Sequence, residues 1–297
     1  MPLIENTLFG INDKTEIAIK RIKTMAPIAE NIYGFYTVMV SGGKDSSVIT
    51  DLAIKSKVKC KFEVSWTGLE YPETVYFLRR EKERIEKLGY IFDFIIPRDK
   101  DGKQITMWKL IEKHGFPTRQ IRFCCDELKE SAGKNAYCIL GVRWAESSRR
   151  KNERFLHEIS GKKLMTNNDN EAIRRLNENC IKKKKYMLNP IIEWTDDDVW
   201  DYIKINKIPY NPLYDKGHKR VGCIGCPMID NRKELDDNPK WAALYKKAGE
   251  KYINTNAKKR DGVKADISSY YDWWTRKTKD ESNLDLFQGE YNEETSD

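Results

Sequence analysis

The stretch Phe35-Tyr36-Thr37-Val38-Met39-Val40-Ser41-Gly42-Gly43-Lys44-Asp45-Ser46-Ser47-Val48 decides the fold. An apolar run ends at Val40, two glycines follow, and a helix-compatible run continues through Ile49, Leu52, Ala53 and Ile54. The pattern reads as strand, tight turn, helix. Glycines let the backbone approach an anion closely, and the amides of the turn and of the helix N-terminus then face it. The G-x-x-x-x-G-K-[ST] spacing of a Walker A loop is absent. Ser41, Ser46 and Ser47 offer hydroxyls to phosphate or sulfate oxygens, and Lys44 offers a point charge. Asp45 would repel phosphate, so it is expected to hold the turn or a Mg²⁺ ion. Gly, Ser and Asp also suit an ordinary strand-to-helix turn, so the loop alone does not name its ligand.

Working outward, Ile17, Ile22, Met25 and Ile28 recur at helical spacing and predict a helix over 14–30. Strands are expected at 35–40, 59–66, 90–96 and 135–142. Helices are expected between them: from the loop to about Lys55, from Pro72 to about Leu88, near 104–113 and near 125–132. Further helices are predicted over 196–206, with Thr195 as N-cap, and over 238–256. Strands alternating with helices imply right-handed crossovers and a doubly wound parallel sheet. Ligands of such sheets sit beyond the strand C-termini. The segments 41–47, 67–74 and 141–149 all fall there.

The domain reading is an N-terminal helical segment (1–34), an α/β core (35–150), a basic insertion (151–187, partly helical at 169–180), a C-terminal cysteine-containing subdomain (188–279) and an acidic tail (280–297). The 297 residues carry a formal charge of +8. Residues 143–190 hold 13 Lys and Arg against 6 Asp and Glu, which suits a polyanion partner or a solvated surface. No run approaches the roughly 20 apolar residues of a membrane span. The start at Met1-Pro2-Leu3-Ile4-Glu5-Asn6 shows no secretory pattern, so a cytoplasmic location without a membrane partner is expected. Seven cysteines in a reducing compartment are not expected to pair as disulfides.

Several motifs now converge on a resemblance. Ser41 to Ser47 resembles the pyrophosphatase loop of enzymes that cut ATP between its α and β phosphates. It equally resembles the same loop of adenylylsulfate and phosphoadenylylsulfate reductases. Thr67-Gly68 with Pro72-Glu73-Thr74 is similar to those reductases' Asp-Thr-Gly and Pro-Glu-Thr. Gly141-Val142-Arg143-Trp144-Ala145-Glu146-Ser147-Ser148-Arg149 resembles their Gly-x-Arg-x-x-Glu/Gln-Ser-x-x-Arg. Asn189-Pro190 through Trp200 and Pro209-Tyr210-Asn211-Pro212-Leu213-Tyr214 look like their later motifs, followed by Gly222-Cys223. The order is the family's order, over roughly residues 35–227. The resemblance implies an adenine nucleotide alpha-hydrolase-like fold: a five-stranded parallel sheet with a C-terminal helical, iron–sulfur-binding extension. It implies nucleotide contacts from Ser41, Gly42, Gly43, Lys44, Asp45, Ser46, Ser47, Thr67, Gly68, Gly141, Arg143 and Arg149. Two departures stand out. Trp66 replaces the aspartate before Thr-Gly. No cysteine follows Cys226, where the reductases carry a Glu-Cys-Gly thiol that attacks the sulfate sulfur.

Cys124-Cys125 and Cys223-Ile224-Gly225-Cys226 form a pair-plus-CxxC pattern. In adenylylsulfate reductases such a set holds a [4Fe–4S] cluster, and the resemblance assigns it to these four thiols. Zinc is the rival for four thiolates. Cys60 and Cys138 lie in strand-like runs and read as buried hydrophobes. Cys180 is open between ligand, nucleophile and persulfide carrier. Trp194, Trp200, Tyr210 and Tyr214 read as packing residues.

The leading expectation is an ATP pyrophosphatase in sulfur transfer to a nucleic acid, tRNA or DNA, held by the basic 143–190 segment. Lys44, Asp45 and Cys180 would be its catalytic residues, with Mg²⁺ and a sulfur or electron donor protein as partners. The alternative is adenylylsulfate or phosphoadenylylsulfate reduction with Cys180 as nucleophile. A third reading is a non-catalytic nucleotide-binding iron–sulfur sensor or assembly subunit.

Overall fold

The computed structural model describes residues 3–7, 10–130, 132–133, 135–146, 177–180, 185–257 and 266–275. An antiparallel hairpin, β1 (Ile4–Thr7) and β2 (Gly10–Asp13), leads into α1 (Lys14–Tyr33). The Asp13 carboxylate caps α1 by accepting from the Thr15 and Glu16 amides, and Gly34 ends it with a left-handed φ of +79°. Then come β3 (Tyr36–Val40), α2 (Lys44–Ser56), β4 (Cys60–Ser65), α3 (Pro72–Lys87), β5 (Phe92–Ile95) and α4 (Met107–His114). A π-helical turn (Cys125–Lys129), β6 (Tyr137–Ile139) and a 3-10 turn (Trp144–Glu146) follow. The remaining elements are β7 (Asn177–Cys180), β8 (Lys185–Leu188), α5 (Asp196–Asn206), α6 (Asn231–Asp236), α7 (Pro239–Ala257) and α8 (Ile267–Thr275).

Five strands run parallel in the spatial order β5-β4-β3-β6-β8, and β7 adds antiparallel at the edge. The chain winds outward from β3 in one direction and returns on the other side through β6 and β8. The switch point therefore lies between β3 and β6, where a crevice opens for ligands. The fifth parallel strand, β8, lies largely inside the segment expected to be a basic insertion. Its lysine run hid it, and a cross-strand aromatic row fixes it. Tyr36, Tyr137 and Tyr186 are register partners. Tyr36 meets Tyr137 edge-on at 5.3 Å, and Tyr137 stacks on Tyr186 at 5.7 Å. The helix expected over 169–180 is strand β7 at 177–180; residues 169–176 lie outside the described residues.

The core is built from the buried faces of both layers. Val48, Ile49, Leu52 and Ala53 of α2, Ala18 and Ile22 of α1, and Trp194 and Tyr202 are each fully enclosed. Thr195 caps α5 in a capping box with Asp198. The buried Asp198 carboxylate also accepts from Lys14 at 2.9 Å, which ties α5 to the start of α1.

The chain divides into two compact units: Met1–Leu110 with Arg122–Cys223, and Ile111–Ile121 with Ile224–Asp297. The first holds the whole sheet and includes residues 188–223, so the division falls between Cys223 and Cys226 rather than at 188. The second has its own aromatic core. Phe116 stacks on Tyr270 and Trp274 at 4.7 and 4.4 Å, and the Trp274 indole donates to the Pro117 carbonyl. Gly249 is needed there, because a Cβ would stand 2.5 Å from the Phe116 ring.

Candidate functional site

The loop Ser41–Lys44 leaves the C-terminal end of β3 and becomes the N-terminus of α2. Gly42 turns at φ +76° and packs so tightly that a Cβ would meet Thr74 Cγ2 at 2.9 Å. Gly43 is the N-cap of α2 and has no side chain to cap it. The first-turn amides thus face the crevice with the positive end of the helix dipole. Gly141, leaving β6 next door, closes the other wall. A Cβ there would stand 2.9 Å from the Asp45 backbone, which cannot yield.

Charge is arranged around Arg143, which is 1% exposed. Its Nε donates to Asp45 at 2.5 Å, Nη2 to Asp196 at 2.6 Å and Nη1 to the Trp194 carbonyl at 3.1 Å. Burial alone would lower the Arg143 pKa. The charges and hydrogen bonds of Asp45 and Asp196 outweigh burial and raise it. Lys44 Nζ lies 3.5 Å from Asp45 and 3.4 Å from Asp196. Burial would raise the Asp196 carboxyl, but hydrogen bonds from Arg143 and the charge of Lys44 leave it below its ordinary value.

Other expected ligand groups have local partners. The Ser46 and Ser47 hydroxyls donate back to the Gly43 carbonyl at 2.8 and 3.4 Å, and the Ser41 hydroxyl accepts weakly from the Gly43 amide. At the end of β4, Glu70 folds into the turn that Thr67 and Gly68 make. Its carboxylate accepts from the Thr67 amide, the Thr67 hydroxyl and the Gly68 amide at 2.9, 2.7 and 3.0 Å. Gly68 holds φ +75° there. Arg143 was expected to grip phosphate; in the structure it fastens Asp45 and Asp196 instead. Arg149 lies outside the described residues.

Beside the loop is an open cleft of about 290 Å³ lined by Lys44, Asp196, Trp200, Tyr214, Asp215, His218 and Lys219. Its far wall is the turn after α5. Asn211, fully buried, donates to the Gly42 carbonyl at 3.2 Å and to Thr74 Oγ1 at 2.9 Å, while its own oxygen accepts from Leu213. Asn211 so pins the turn to the loop. Tyr214, expected to serve only packing, accepts from the Lys44 amide at 3.0 Å and packs edge-on against Trp200 at 5.1 Å. Asp196, Asn211 and Tyr214 are the functional candidates the sequence reading missed. The run Pro209-Tyr210-Asn211-Pro212-Leu213-Tyr214 was the available signal for Asn211 and Tyr214.

The cysteines are less assembled. Cys124 and Cys125 are half-buried, outside any disulfide, at the start of the π-helical turn. The hydrogen bond from Cys124, with help from Lys129 and Arg122, outweighs burial and pushes the Cys125 thiol down to about 6. Cys223 Sγ lies 3.6 Å from Thr67 Oγ1, and its backbone bridges to Glu70. Cys226 is free and half-buried in the second unit. The donor chemistry suits a thiophilic metal, but among the described residues no three His, Cys, Asp or Glu side chains are arranged to hold one. Cys180 departs from expectation. It pairs with Lys185 at the start of β8, and Tyr186 lies in one row with Tyr36 at the start of β3. Cys180 therefore sits level with the start of β3 and three strands across from it, more than the length of a five-residue strand, roughly 16 Å, from the glycine loop.

Residues 36–229 match the phosphoadenosine phosphosulfate reductase domain. The chain belongs to that family. This reductase-domain protein has the family's adenine nucleotide alpha-hydrolase-like fold, and its sheet order and glycine loop are as described above. A Methanocaldococcus jannaschii protein of uncharacterized activity is 31% identical over 82% of this chain and 55% of its own length. The chain thus spans about half of that relative, and 40% of a second from the same organism. The adenosine 5'-phosphosulfate reductase 1 of Bacillus subtilis is 29% identical over 72% of this chain and 84% of its own. Among solved structures, a phosphoadenylyl-sulfate reductase from Candida auris in a phosphate complex aligns with a TM-score of 0.46 at 17% identity, over 71% of this chain and 94% of its own. No helix among the described residues is long and apolar enough to cross a membrane.

Proposed function

We propose that this reductase-domain protein binds ATP at the Ser41–Ser47 loop and cleaves it between the α and β phosphates, in the service of sulfur transfer to a nucleic acid. The observation that carries the reading is the lining of the cleft. Lys44 and Lys219 of the lining, with the α2 amides, suit a polyphosphate; Asp196 of the lining and Asp45, beside Lys44 but outside the lining, offer carboxylates to its Mg²⁺; and no thiol lines the cleft among the described residues. Polyphosphate cleavage needs positioning and charge stabilisation rather than a protein nucleophile. An acceptor oxygen attacks the α-phosphorus, the α–β bridging P–O bond breaks, and pyrophosphate leaves with the electron pair. Hydrosulfide from a donor protein then displaces AMP from the adenylated acceptor. Lys44 neutralises the phosphate, and Arg143 holds Asp45 and Asp196 in place. The basic 143–190 segment would hold the nucleic acid through its phosphates.

Cys124, Cys125, Cys223 and Cys226 are the residues that would bind a [4Fe–4S] cluster or zinc. The acidified Cys125 supports this, because the thiolate is the ligating form. A bound cluster supplies electron or sulfur-handling chemistry; no step above passes through it.

A second reading, reduction of adenylylsulfate or its 3'-phosphorylated form to sulfite, is favoured by the relatives of that name. It needs a thiol at the anhydride, and the register puts Cys180 at the wrong edge to provide one. The test is anaerobic: the full chain with ATP, Mg²⁺ and bulk tRNA or DNA should release pyrophosphate, and Lys44→Ala should cut the rate at least a hundredfold. Pyrophosphate release unaffected by Lys44→Ala would sink the assignment.

A further inference from the structure

We infer that the Tyr214 hydroxyl is part of the anion site: it relays the α2 dipole to the bound nucleotide by donating a hydrogen bond to an oxygen of the phosphoryl group above Lys44. The inference rests on the nucleotide-site reading and deepens it.

The argument starts from the geometry of one amide. Gly43 caps α2 without a side chain, so the Lys44 N–H is one of the orphan donors of a helix start. Its partner is the phenol oxygen of Tyr214 at 3.0 Å, a residue 170 positions away. A phenol has one proton to donate and can accept at the same oxygen. Having accepted from Lys44, Tyr214 still holds its own proton. The cleft is lined by Tyr214, Lys44 and Lys219, so that proton has an anion-binding space within reach. Burial, the largest effect, raises the Tyr214 hydroxyl above its ordinary value, so the proton is present at neutral pH. A donor already polarised by a helix amide is a stronger donor, because linked hydrogen bonds reinforce one another.

The placement is over-determined. Asn211 anchors the turn to Gly42 and Thr74, and the Tyr214 amide closes the turn onto the Asn211 carbonyl at 3.2 Å. The Tyr214 ring is braced by Trp200. Packing alone would require neither the buried Asn211 clamp nor the contact with the loop amide. The opposite role would be a plug: a phenol that occupies the amide until nucleotide displaces it. The two roles differ in sign.

The variant is Tyr214→Phe, which keeps the ring against Trp200 and removes only the hydroxyl. The full chain is titrated calorimetrically with adenosine, AMP and Mg²⁺-ATP, and its melting temperature is recorded without ligand. The expected result is at least tenfold weaker binding of AMP and ATP, since hydrogen bonds to charged groups are the stronger class. Adenosine affinity and melting temperature should be unchanged, which separates phosphate recognition from misfolding. Equal or tighter AMP and ATP binding by the variant would overturn the inference, the tighter result identifying a plug. Equal losses for adenosine and AMP would overturn it as well, because the role would then be structural. If the wild-type chain binds none of the three, the nucleotide-site reading itself fails and takes this inference with it.

Discussion

The glycine loop and the cysteine segments of the same unit are prepared to different degrees. The loop is fixed by the protein's own packing: Gly42 and Gly141 are wedged against Thr74 and the Asp45 backbone, and Arg143 holds two carboxylates. The cysteines are placed by local backbone, a π-helical turn for Cys124 and Cys125 and an isolated bridge to Glu70 for Cys223, whose sulfur lies against Thr67 Oγ1. Phosphate is met by preformed amides, whereas a thiolate site is commonly organised by its metal. The contrast is between a loop that packing builds and cysteine segments placed by local backbone.

The sharpest way to break the contrast is to unlock the first site. Arg143→Met leaves Asp45 and Asp196 without their partner, and should cost about 3 kcal/mol in urea unfolding, nearly all of it through the mostly buried Asp45, because the Asp196 side chain is 67% exposed and solvent screens it. A loss below about 1 kcal/mol would mean that the carboxylates are solvated and the lock is absent. Gly141→Ala should cost about 2 kcal/mol by overpacking and should abolish ATP binding in calorimetry. A variant that binds ATP normally would show that the wall yields.

The cysteine side is tested by metal content. After anaerobic expression with iron, Cys125→Ser should lose most bound iron and its visible absorption, while ATP affinity stays within about twofold, since one hydroxyl-for-thiol change outside the cleft removes no phosphate contact. Full iron retention would remove Cys125 from the ligand set.

A smaller effect follows from acid. The Asp196 carboxyl is lowered in the fold, so its contribution is present above the ordinary aspartate value, about 3.9, and is lost as pH falls through the folded value. Asp196→Asn should flatten that acid limb of the stability curve and leave the slope near neutrality unaltered. An unchanged acid limb would contradict the Arg143–Asp196 coupling. Least of all, Cys180→Ala should leave pyrophosphate release within about twofold, because the residue sits a strand length from the loop.

The loop, its helix and the parallel winding were legible because period, glycine pair and cap act locally. Thr195 and Asp198 were readable for the same reason: a capping box lies within four consecutive residues. Three features were not. Strand β8 is announced by lysines, and only its Tyr186 in register with Tyr137 reveals it. Arg143 looked like a phosphate ligand because sequence shows its position at the sheet edge but not its partners, Asp45 and Asp196, 98 and 53 residues distant. Tyr214 looked like packing because its ring does pack; its hydroxyl meets an amide that only the fold brings near. The cysteine pattern was the plainest motif of all, yet a motif names donors without assembling them.

The most direct test of the account is a product partition. The anaerobic full chain is given ATP with Mg²⁺ and nucleic acid in one vessel, and adenylylsulfate with a dithiol reductant in another. Pyrophosphate and sulfite are then quantified. The account expects pyrophosphate from the first and no sulfite from the second. Sulfite formed at enzymatic rates, with no pyrophosphate from ATP, would contradict it and return the cleft to the reductase reaction.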